Sequence, residues 1–168
     1  MKFNLMKKTM IAQMVAATLP LLFACSEKTP TAESSALVVN EIVSSNKRSF
    51  VDESLGTPDW IELYNTGSLP LDISGYGISD NMRDLHKFVV PQGTVIGAGE
   101  YLLLYAMGTS DDVTNPLVTN FGLSKSGDYL FITDAYFGLI AQMEIPALYT
   151  DVSYARAADG TFGYSGVP

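Results

Sequence analysis

Beyond residue 36 the chain alternates with period two and sustains no helical period. In Asp59-Trp60-Ile61-Glu62-Leu63-Tyr64-Asn65, Ile61 and Leu63 fall on one side and Trp60, Glu62 and Tyr64 on the other. That is the pattern of a half-buried β-strand, whose successive side chains point to opposite faces. Short β-rich runs recur at 37–43, 60–64, 76–79, 87–90, 101–106, 129–133, 139–145 and 152–156. Turn chemistry separates them: Asn65-Thr66-Gly67, Pro91-Gln92-Gly93, Gly97-Ala98-Gly99, Ser126-Gly127-Asp128, Phe137-Gly138 and Asp159-Gly160. Many short strands at this spacing predict an all-β sandwich or barrel. No amphipathic helix of useful length follows residue 25, and there is no internal repeat. Residues 108–120 are the longest strand-poor stretch and are expected to form a mobile loop.

The start of the chain is of another kind. Its first eight residues carry Lys2, Lys7 and Lys8 and no acid, and an apolar run over 10–24 follows, interrupted by Gln13, Thr18 and Pro20. A positive start before an apolar stretch too short to span a bilayer reads as a signal peptide over residues 1–24. It ends Leu22-Phe23-Ala24-Cys25, which resembles the lipobox of bacterial lipoproteins. The resemblance implies cleavage before Cys25, a diacylglycerol on its thiol and a third acyl chain on its freed amine. Each buried methylene contributes about 0.8 kcal/mol, and stable attachment takes two membrane signals, which the chains on one residue supply. Residues 25–36 then read as the lipidated cysteine and a small, polar, flexible tether.

Residues 37–168 are one domain's worth of chain, able to bury roughly two thirds of their unfolded surface. Cys25 is the one cysteine, so no intrachain disulfide supports the fold. All 18 acids follow the leader, against seven remaining Lys and Arg, a net charge near −11. A field of that sign repels phosphate backbones, so no direct nucleic-acid partner is expected.

Several runs in order resemble a known family. Trp60-Ile61-Glu62-Leu63-Tyr64-Asn65 with Thr66-Gly67 looks like the characteristic strand of the lamin tail domain. Leu71-Asp72-Ile73-Ser74-Gly75-Tyr76-Gly77-Ile78-Ser79-Asp80 is similar to its next two strands. Phe88 to Pro91 with Gly93, and Ile96-Gly97-Ala98-Gly99-Glu100-Tyr101, resemble its proline-containing strand and glycine hairpin. Asn120-Phe121-Gly122-Leu123-Ser124 with Gly127-Asp128, and Asp151-Val152-Ser153-Tyr154-Ala155-Arg156 with Asp159-Gly160, resemble later motifs of bacterial members. The resemblance implies an immunoglobulin-like β-sandwich over 37–168 that binds or tethers and does not catalyse. Bacterial members continue into a Thr-Pro-Gly segment where this sequence ends, so a trimmed final edge or a longer parent protein is expected.

The side chains that carry chemistry are few. His86 is the one histidine. No Gly-x-Ser-x-Gly elbow accompanies it, so a strand-edge role is expected over a Ser-His-Asp triad with Asp80 or Asp84. One histidine and a lipidated cysteine cannot close a four-ligand zinc site. Calcium suits the acids better. Asp52, Glu53 and Asp59 share one loop, and Asp80, Asn81 and Asp84 another, although no EF-hand spacing is present and a solvated acidic loop is the plainer reading. Glu62 is expected to face solvent or a polar group of a neighbouring strand. Trp60, Tyr64 and Tyr76, with Tyr101 and Tyr105, are strand aromatics that serve either core packing or a binding face.

Together these features predict a non-catalytic, lipid-anchored module of the cell envelope. It would meet the membrane through the acyl chains of Cys25, and a protein or glycan partner through its sandwich. Ser26 stands where an Asp would signal inner-membrane retention, so an outer-membrane or cell-surface place is expected. The alternative is the N-terminal accessory domain of a larger exported enzyme whose catalytic part lies beyond Pro168.

Overall fold

A computed structural model describes residues 35–108, 114–166 and 168. The leader, Cys25 and most of the tether lie outside the described residues. Those described hold no helix and twelve strands: β1 (Leu37–Val43), β2 (Asp59–Asn65), β3 (Leu71–Asp72), β4 (Gly77–Ser79), β5 (Phe88–Val89), β6 (Val95–Ile96), β7 (Tyr101–Ala106), β8 (Val118–Thr119), β9 (Asp128–Thr133), β10 (Leu139–Ile145), β11 (Ser153–Arg156) and β12 (Phe162–Ser165). One sheet runs β12-β11-β1-β2-β7-β8, a second runs β10-β9-β4-β5, and β3 and β6 form a two-stranded ribbon. The ladders are antiparallel except β7 with β8.

Alternation decides what lies between the sheets. Ile61 and Leu63 of β2, Leu104 of β7, Ile78 of β4 and Leu130 and Ile132 of β9 are almost wholly enclosed and join one apolar cluster. Truncating any of them to alanine would cost about 2–5 kcal/mol, through lost transfer energy and the cavity left behind.

In β1 the alternation breaks once, to a purpose. Val39 pairs with Leu63 and Glu41 with Glu62, so Asn40 is an extra residue in the ladder. Leu37 and Val39 point inward before this bulge and Ile42 after it. An unbroken strand would continue inward at position 41 and drive a carboxylate into the core, where an unpaired charge is prohibitive. The bulge turns Glu41 to the outer face instead.

Asn65 closes the other end of β2. Its side chain is fully buried. Nδ2 donates to the carbonyls of Leu69, Ile96 and Gly97 at 2.8, 3.0 and 3.0 Å, and Oδ1 accepts from Gly67 N–H at 2.9 Å. One amide thus ties the strand to the turn after it and to the β6–β7 hairpin.

Two expectations are corrected. Residues 108–120 are not all loop: 118–119 form β8, because Leu117 and Val118 run alongside β7, with Tyr105 N–H bonded to Leu117 O at 3.0 Å. Residues 109–113 lie outside the described residues. Strands β3, β6 and β12 fall outside the eight β-rich runs read from the sequence, β3 and β6 being two residues long and β12 four.

Replacing Asn65 tests the hub. Asn65→Ala is expected to lower unfolding free energy by about 3 kcal/mol in urea titration, since buried polar groups left without partners cost roughly 1–3 kcal/mol each. Asn65→Asp should cost more, because it turns a second acceptor toward three carbonyls.

Candidate functional site

The outer face of the six-stranded sheet carries three cross-strand rows. Val38, Tyr64 and Tyr101 make the first; Glu41, Glu62 and Leu103 the second; Val43, Trp60 and Tyr105 the third. In the first row the Tyr64 and Tyr101 rings stack with centroids 4.5 Å apart, and Tyr101 is 55% exposed. The third row is closed off. Val43 is fully buried and Trp60 only 5% exposed, and Phe50, from the segment joining β1 to β2, stacks on Tyr105 at 6.1 Å.

That segment is pinned by two polar residues. Asn46 Nδ2 donates to the carbonyls of Phe50 and Pro58 at 2.6 and 2.8 Å, and its backbone N–H donates to Asp59 at 2.7 Å. Asp151 accepts backbone N–H groups from Lys47, Arg48 and Ser49. Those bonds, with Lys47 foremost, hold the Asp151 carboxyl below its ordinary range.

The middle row sets two carboxylates directly opposite each other. Neutral donors hold both: Asn40 Nδ2 donates to Glu62 Oε1 at 2.6 Å, and Ser153 Oγ donates to Glu41. Partial burial pushes the Glu62 carboxyl up, the Asn40 amide pulls it down, and the charge of Glu41 pushes it up again. The ion pairs among the described residues, Arg48 with Asp151 and Lys87 with Asp80, lie elsewhere. Like charges facing one another across a ladder are destabilising.

Of the sequence-predicted aromatics, Tyr64 and Tyr101 lie stacked together on the outer face, with Tyr101 exposed. Trp60 is covered as described. Tyr76, just before β4, packs against the core cluster, and burial raises its hydroxyl pKa. The expectation of one face holding Trp60, Tyr64 and Tyr76 is therefore corrected: β4 belongs to the other sheet, and the open pair is Tyr64 with Tyr101. Glu41, Asn40 and Ser153 were not singled out from the sequence. Their meeting depends on a bulge and on pairing between residues 112 positions apart, and no local pattern carries either.

The acids considered for calcium stay apart. Asp52 caps its own turn, accepting from the backbone N–H of Ser54 and Leu55, and Glu53 is exposed. Asp59 serves Asn46, and burial pushes its carboxyl up. Asp80 is paired with Lys87 at 2.8 Å, Asn81 caps Arg83 N–H at 3.0 Å, and Asp84 is exposed. Among the described residues no three His, Cys, Asp or Glu side chains gather as metal ligands. His86 is a strut. Its Nε2 lies 3.1 Å from the Asp134 carbonyl, which only accepts, so that nitrogen carries the proton. Its ring stacks on Phe137 at 3.8 Å, in space that Gly77 leaves by lacking a Cβ. Cys25 lies outside the described residues.

Two outcomes are expected. Millimolar Ca²⁺ and chelator should give the same melting temperature, since the carboxylates of Asp52, Asp59 and Asp80 are already engaged within the fold. Glu62→Gln should raise the melting temperature at pH 7. The raised Glu62 pKa means that its ionised form weakens the folded state, and that penalty fades as pH falls through the folded pKa and is gone below the unfolded value of 4.5. The gain measured by thermal melts should therefore vanish at pH 4.

Comparison with known proteins bears on the fold. The family model described as Lamin Tail Domain matches residues 30–147, and no curated protein matches the chain. The match ends two residues beyond β10, while β11 lies farther on and pairs with β1 inside the large sheet.

Proposed function

The chain belongs to the lamin tail domain family, an all-β, immunoglobulin-like sandwich, and on that premise we propose that it is a non-catalytic lipoprotein that presents this module for binding at the cell envelope. The observation that carries the reading is the outer sheet face. One of its three rows is sealed by the chain's own segment, and the other two present a stacked tyrosine pair, with Tyr101 exposed, beside two half-buried carboxylates. An open, rigid sheet face bearing aromatic rings and fixed polar groups is suited to recognition. The lone histidine is spent on packing, which favours a binding role over acid–base chemistry.

Anchoring rests on the residues before the domain. Lys2, Lys7 and Lys8, the apolar run and Ala24-Cys25 occur in the order that lipid attachment needs. The acyl chains would hold the module at the membrane and the tether would give it reach, with Ser26 favouring the outer membrane or cell surface.

Expression in a bacterial host with radiolabelled palmitate tests the anchor. The wild-type protein should take label and sediment with membranes. Cys25→Ala should accumulate as an unlabelled precursor. A Cys25→Ala protein that still takes palmitate would overturn the anchor reading.

A further inference from the structure

The uncompensated carboxylate pair calls for an occupant. Glu41 and Glu62 face one another on adjacent strands, each half-buried and each held by a neutral donor that fixes its position and supplies no opposing charge. The described residues supply ion pairs to Asp80 and Asp151, yet none to this pair. Two residues along β2 from Glu62, or about 7 Å at the rise of a strand, the Tyr64 and Tyr101 rings form a flat, accessible platform. The two features lie on the same face, in adjacent rows of the same ladders.

The chemistry of an occupant follows. A neutral ligand such as a glycan would stack on the tyrosines and donate hydroxyls, but would leave both negative charges facing each other in a drier setting. A cation removes that repulsion. A lysine ammonium is a point charge, without a planar fork to match the carboxylates or a flat face to lie on the rings. A guanidinium on a long apolar stem does both: its planar fork matches carboxylate oxygens, and it and its stem lie well on aromatic faces. We propose that the open rows of this face, Glu41 and Glu62 beside Tyr64 and Tyr101, dock an arginine-bearing segment of a partner polypeptide. The guanidinium sits between the two carboxylates and the neighbouring part of the segment lies over the tyrosine pair. The chain's net charge near −11 draws such a segment in before contact.

This inference rests on the reading of the domain as a binding module and names its partner class. The test uses the full lipidated chain in non-ionic detergent micelles and a short fluorescein-labelled peptide alternating Arg and Ser, followed by anisotropy. Wild-type protein should bind saturably, and more tightly than it binds the Lys–Ser counterpart. Glu41→Gln/Glu62→Gln should weaken binding about tenfold or more, the scale of losing hydrogen bonds to charged groups. Tyr101→Ala should weaken it by a smaller factor. Glu144→Gln, on the exposed part of β10 in the other sheet, should bind as wild type does, separating a local contact from the overall field.

The double variant should melt no lower than wild type, since it relieves a like-charge pair. If it does melt lower, Glu62→Gln and Tyr101→Ala carry the comparison. Equal binding by wild type and by the Gln variants overturns the proposal. So does an equal loss in Glu144→Gln, and so does a Tyr101-dependent grip on cellohexaose with none on the arginine peptide. Those results leave the anchor reading standing, whereas palmitate labelling of Cys25→Ala removes the anchor and leaves the docking face untouched.

Discussion

One inserted residue in β1 sets the terms for much of what surrounds it. With Asn40 bulged out of the ladder, Leu37 and Val39 face the core on one side of it and Ile42 on the other. The same insertion decides the chemistry of the outer face. It puts Glu41 beside Glu62 and brings the Asn40 amide to the Glu62 carboxylate. A change that saves the core from a buried charge thereby creates a pair of charges outside it. Fold and candidate site are two consequences of one irregularity, and a strand of perfect period would have neither this core nor this face.

The exposed edges are handled differently from the face. A free strand edge invites pairing with another chain, and short or irregular edges blunt it. Here β5 and β8, at the ends of their sheets, are two residues long. The longer edge, β10, has its register broken between Leu139 and Ala141 and sets exposed Gln142 and Glu144 along its length. Over the first two rows of the outer face of the large sheet, Tyr101 is exposed and Glu41, Glu62 and Tyr64 are half-buried. The third row shows what protection looks like: the segment after β1 folds back, Asn46 and Asp151 fix it, and Trp60 vanishes from the surface.

The fold was legible where strands were long. The runs at 37–43, 101–106 and 139–145 coincide with β1, β7 and β10, because each is a mostly apolar stretch of six or seven residues. Strands β3, β6 and β8, of two residues each, exist only through their partners, and no local pattern could reveal them. The site was legible in smaller part. Tyr64 was visible as a strand aromatic and Glu62 as an outward polar residue. The bulge, the register that makes Glu41 its neighbour and the long-range bond from Ser153 are tertiary facts. Trp60 shows the converse error: its parity correctly put it on the outer face, but parity is silent about whether a loop will cover that face.

An uncompensated carboxylate pair on a β-sheet is a cost to the folded state that a domain without disulfides has reason to avoid. Either glutamate could be glutamine with little steric consequence, and Asn40 and Ser153 could still hydrogen-bond to it. The donors present hold the carboxylates in place and bring no positive charge to them, an arrangement that leaves that part to an incoming cation. Preorganised charge of this kind lowers the ordering cost of binding, and stability given up at a recognition surface is a familiar exchange. The proposed lipid anchor would add to the effect. A module confined near a membrane meets partners in the same layer at high effective concentration, so a modest intrinsic affinity suffices. A small face, two carboxylates and two rings, is then enough for a useful contact, provided that the anchor and the face belong to the same device.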